Sequence, residues 1–89
     1  MVMLVGDKRF NIVGVSRADR DFHIATDENN VDDILSAVGS GDVVHVGIKP
    51  KDMPNLTKMY ELIYRSVQYD IDDKNIACQI SFFMVKEVQ

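Results

Sequence analysis

The residues of this chain best suited to proton transfer, nucleophilic attack or metal binding are His23, His45, Cys78 and Ser16. Both histidines are flanked by apolar residues, in Phe22-His-Ile24 and Val44-His-Val46, as in the middle of a strand. Strand alternation turns their rings away from Phe22, Ile24, Val44, Val46 and Ile48. On adjacent strands the pair would share one sheet face, where imidazoles serve as proton switches or metal ligands. Two ligands do not close a metal site, and Cys78 falls on the opposite, apolar face of its own strand. No metal is therefore expected. In that setting Cys78 behaves as a small hydrophobe with its thiol protonated. Ser16, in Gly14-Val-Ser-Arg-Ala18, lacks the second glycine of a nucleophile elbow. No residue is assigned a catalytic role, and a protein without enzymatic activity or cofactor is expected.

Three further segments imitate ligand motifs. Asp70-Ile-Asp-Asp-Lys-Asn75 resembles the start of a calcium loop, but Asn75 stands where that loop needs glycine, and no glutamate follows at its twelfth place. Gly39-Ser-Gly-Asp42 follows a helix pattern, whereas phosphate-cradling glycine loops follow a strand and open a helix. Asp27-Glu28 and Asp32-Asp33 read as turn and helix-start acids. One anion site is worth stating. Lys49 and Lys51 follow a strand and precede a segment read as a helix, with Lys58 one turn in. Arg17 and Arg20 join them if their loop lies at the same edge. Such a site would take a nucleotide or phosphorylated metabolite.

The elements that must position these residues follow from periodicity. Val2–Val5 reads as a strand, Gly6-Asp7-Lys8 as a tight reversal, and Phe10–Ser16 as a second strand in which Gly14 marks a bulge or close approach. Phe22–Thr26 is a third strand. A short helix follows, capped by Asn30, striped by Val31, Ile34, Leu35 and Val38, and ended by Gly39. Val43–Ile48 is a strand. A second helix is expected from Asp52 or Asn55 to about Tyr69, with Leu56, Met59, Tyr60, Ile63 and Val67 at helical spacing. Asn75–Val88 is the last strand. The order β-β-β-α-β-α-β implies an α+β fold. It would be a single two-layer domain over residues 1–89, with a mixed five-stranded sheet and two helices on one face.

The last strand points to function. Ile76, Cys78, Ile80, Phe82 and Met84 form one apolar face, yet Phe83 and Val85 make the other face apolar near its end. Val43 and His45 lie on a face of the same kind, and Tyr64 falls at the edge of its stripe. These five residues, Val43, His45, Tyr64, Phe83 and Val85, form the expected interface with a protein partner, with a second copy of the chain, or with both.

Bulk properties agree with such a module. The 89 residues are 46% hydrophobic and 27% charged, with a net charge of −4. The acidity is local: residues 1–45 carry four Lys/Arg against eight Asp/Glu, while residues 46–89 carry six of each. An acidic chain repels phosphate backbones, so general nucleic-acid binding is not expected. No apolar run approaches the roughly 20 residues of a membrane span, and the start lacks a basic leader. A lone cysteine fits a reducing compartment, so cytoplasmic residence is expected. The expected role is a small acidic binding or regulatory protein, compatible with an inhibitor of a host factor made by a phage or mobile element. A structural subunit of an assembly is the further alternative.

Overall fold

A computed structural model describes residues 1–39, 43–53, 55–71 and 76–88, with backbone alone at Asp70, Ile71, Ile76 and Ala77. Seven strands and one helix follow in the order β1 (Val2–Val5), β2 (Lys8–Asn11), β3 (Gly14–Ala18), β4 (Asp21–Asp27), α1 (Glu28–Val38), β5 (Val43–Lys49), β6 (Lys58–Ile71) and β7 (Ile76–Val88). All seven strands join one sheet, ordered β2-β1-β5-β6-β7-β4-β3. Every pairing is antiparallel. The expected mixed five-stranded sheet with two helices is therefore wrong, and so is the two-helix α+β class.

The main error is the second helix, whose residues form β6. Its composition, with three tyrosines, Val67 and Ile63, favours an extended chain. Two register shifts disguise the alternation. Leu62 pairs with Met84 and Tyr64 with Phe82, but Ser66 pairs with Ser81, which leaves Arg65 as an extra residue in β6. Such a bulge shifts the phase of the strand by one residue. The inward positions then fall at Tyr60, Leu62, Tyr64 and Val67, and the spacing from 60 to 64 to 67 imitates a helix.

The stretch read as one strand, Phe10–Ser16, breaks at Ile12-Val13, and its halves lie at opposite edges of the sheet. Three Cα steps, at most about 11 Å, connect Asn11 to Gly14. The edges must therefore nearly meet, so the sheet curls into an almost closed barrel. Hydrogen bonds mark the seam. Ile12 N–H donates to the Met1 carbonyl at 3.1 Å, while Val13 N–H donates to the Ala25 carbonyl of β4 at 2.8 Å. Gly14 makes no close approach, since a Cβ there would meet nothing within 4 Å. Gly6, with φ of 63°, does form the expected reversal between β1 and β2, a conformation that glycine adopts without steric cost.

α1 covers the inner face across the seam, against β2 on one side and β4 and β7 on the other. Its cap is Asp27 rather than Asn30: the Asp27 carboxylate accepts from the amides of Asn29 at 3.1 Å and Asn30 at 3.3 Å. β4 thus runs into the helix without a linker. Asn30 instead donates its side-chain amide to the Asn11 carbonyl at 2.9 Å, tying α1 to β2. Val31, Ile34 and Val38 bury as the stripe foretold, against Met3, Ile24, Val46, Leu62, Ile80 and Phe82. Met59, expected in the core, lies on the other face and is half-buried.

Candidate functional site

Alternation gives the sheet a second, outer face, and the register sorts its side chains into rows across the strands. Leu4, Gly47, Met59 and Val88 form one row. His45, Glu61 and Lys86 form the next. Val43, Ile63 and Phe83 form a third, ending at Asp21 of β4. Two apolar rows thus flank a charged one. Among the described residues, the helix lies on the inner face and no element covers these rows.

The charged row is organised around Glu61. His45 Nε2 donates to Glu61 Oε1 at 3.0 Å, and Lys86 Nζ stands 3.9 Å from the same oxygen. The His45 side chain is 63% exposed against 20% for Glu61, so the carboxylate is seated and the imidazole faces solvent. In the rows beside it, Val43 is exposed while Leu4, Met59, Ile63 and Phe83 are half-buried. The Arg65 guanidinium lies 5.7 Å from the centre of the Phe83 ring, a cation–π distance. Gly47 leaves room for its neighbours' side chains: a Cβ there would stand 2.9 Å from Met59 Sδ and 3.2 Å from Thr57 Cγ2.

Of the five residues expected at the interface, the structure brings Val43, His45 and Phe83 onto this face. Val85 is the extra residue of a second bulge, between Met84 opposite Leu62 and Lys86 opposite Glu61, and is exposed at its margin. Tyr64 is on the wrong side. It points inward, edge-on to Phe82 with centroids 6.2 Å apart. Leu4, Ile63 and Glu61 were missed; the alternation of Leu4 was legible but its neighbours were not, and Glu61 and Ile63 were read within a helix.

The histidines do not meet, because β7 and β6 separate β4 from β5. His23 Nδ1 instead lies 3.0 Å from Ser81 Oγ, with Ser16 opposite His23 on the β3 side. This is a cross-strand polar pair on the outer face. Among the described residues no cavity opens beside it, and no group of three His, Cys, Asp or Glu could hold a metal ion. Cys78 is buried on the inner face. Burial pushes its thiol pKa up, and the carboxylates of Glu28, Asp27 and Asp32 act in the same direction. Burial likewise raises the Tyr60 hydroxyl, with Glu87 adding to the effect and Arg17 opposing it.

The basic residues proposed for an anion lose the helix end that was to join them. Lys49 ends β5 and Lys58 begins β6, at one end of the same strand pair, with Lys51 exposed in the connecting loop. Arg17 stacks over Phe22 at 5.1 Å. Through Phe22 and Phe82 it lies level with Tyr64, which is about 20 Å along the strands from Lys58. Arg20 sits in the β3–β4 turn, where its carbonyl accepts from Met84 N–H at 2.7 Å. The calcium-like segment at 72–75 and the Ser40–Asp42 part of the glycine stretch lie outside the described residues. Among those described, no helix is long and apolar enough to cross a membrane.

Compared with known proteins, the chain matches no family model, no curated protein and no solved structure.

Proposed function

We propose that the protein is a small acidic, non-enzymatic binding module whose outer sheet face receives a protein partner. The observation that carries this reading is the pair of apolar rows, Leu4–Val88 and Val43–Phe83, on either side of the His45–Glu61–Lys86 row. Water-exposed strands normally place polar residues outward, and a contiguous apolar patch rimmed by polar groups marks a contact surface. The charged row gives the partner a register: a cation beside Glu61 and an anion beside Lys86 and His45 would complement it. The acidic balance of the chain favours a protein over a phosphate backbone.

The test is affinity capture from native lysate with three baits: the parent, Phe83→Asp and Gln79→Asp. Gln79 lies on the same face in its polar region, opposite Gln68. A partner held by the parent and by Gln79→Asp but released by Phe83→Asp supports the reading. Equal retention by all three baits refutes it.

A further inference from the structure

β6 outruns its neighbour. β5 pairs with it only from Lys58 to Ile63, ending at Val43, whereas β6 continues to Ile71 along β7. Among the described residues, no strand pairs with the outer edge of β6 from Tyr64 onward. A free edge displays unpaired backbone donors and acceptors and is a template for another strand. Natural edges are blunted by lysine, proline or a bulge. Here the sequence from Tyr64 to Ile71 has neither lysine nor proline, and its one bulge, at Arg65, lies at the start of the stretch.

We propose that two copies of the chain join through this edge, as an antiparallel β6–β6 pair about a two-fold axis perpendicular to the sheet. Such an axis keeps inner and outer faces aligned across the junction, so one residue must lie opposite its own copy. Gln68 is that residue. Centring there sets Val67 opposite Tyr69 of the second copy. Both are inner-face positions, since Val67 pairs with Ile80 and Tyr69 with Cys78. Val67–Tyr69 is an aliphatic–aromatic cross-strand pair, a favourable type, and it gives cover to Tyr69, which is 51% exposed. Centring on Val67 would instead set Tyr64 opposite Asp70. In this register Arg65–Ile71 of one copy run opposite Ile71–Arg65 of the other. The junction is small, which makes the dimer weak and its population dependent on concentration.

Sedimentation over a dilution series about the micromolar range, with single-cysteine crosslinking, tests this. Buried Cys78 is silent, so a cysteine at Gln68→Cys reports only on the junction. Expected are a concentration-dependent dimer, a disulfide-linked dimer from Gln68→Cys and not from Met53→Cys in the exposed β5–β6 loop, and loss of the dimer in Gln68→Lys, which sets two like charges opposite each other. A monomer throughout the series overturns the proposal. So does a dimer abolished by Phe83→Asp but kept by Gln68→Lys without the Gln68→Cys crosslink, which would place the second copy on the outer face.

Discussion

Beside the seam, the β3–β4 pairing is extended by one backbone hydrogen bond that a single substitution can delete. Val13 N–H donates to the Ala25 carbonyl at 2.8 Å, while its side chain is 75% exposed. Val13→Pro therefore removes the donor at a position whose side chain packs against little. Losing the bond costs about 0.5–1.5 kcal/mol, and leaving the half-buried Ala25 carbonyl unpaired raises the total to about 1–3 kcal/mol. In a domain of this size that lowers Tm by roughly 5–20 °C. Val13→Ala is the control, with an expected change within about 0.5 kcal/mol. Urea titration gives the free energies, and hydrogen exchange at Ile12 and Gly14 reports whether the seam opens. If Val13→Pro matches Val13→Ala within about 0.5 kcal/mol and the seam amides exchange equally in both, this bond does not hold the β3 end of the seam.

Other outcomes follow from the same structure. Asp27→Ala removes the carboxylate that accepts from two helix amides; chemical denaturation should show a loss of about 1 kcal/mol, and an unchanged midpoint would deny it the capping role. Leu62→Ala empties a fully buried position between β5 and β7, with an expected cost of about 2–5 kcal/mol by urea titration. Cys78 should react slowly with Ellman's reagent in the native state and fast in urea. Its folded pKa is raised, so between the unfolded value of about 8.5 and the higher folded one the native chain retains a proton that the unfolded chain has lost. Stability is unaffected by this group below about pH 8.5 and falls as pH rises above it. The slope should flatten in Cys78→Ala, and equal slopes in the two proteins would contradict the burial argument.

Strands whose alternation runs unbroken over all or most of their length were legible from sequence. β1, β4, β5 and β7 stand where Val2–Val5, Phe22–Thr26, Val43–Ile48 and Asn75–Val88 placed them, and the Val31-Ile34-Val38 stripe foretold α1. β6 was lost because the Arg65 bulge converts a period of two into a false helical one. The break at Ile12-Val13 was lost for a different reason. Nothing local separates Phe10–Asn11 from Gly14–Ser16; only the curl of the whole sheet sends them to opposite edges. The candidate site divides along the same line. Val43, His45 and Phe83 were assigned to the outer side of their strands from alternation alone. Their neighbours Glu61 and Ile63 were hidden inside a supposed helix, and Tyr64 was misplaced with them. Strand order is set by long-range pairing, so the separation of His23 from His45 and the His23–Ser81 pair had no local signal.

The claim that the outer face is the contact surface is tested most directly by methyl NMR of the protein titrated with its captured partner. The account predicts that the methyl signals of Leu4, Val43 and Ile63 shift or broaden together, while those of Leu35 on α1 stay in place. Shifts confined to Leu35 and the helix, with the three outer-face residues unmoved, would contradict it.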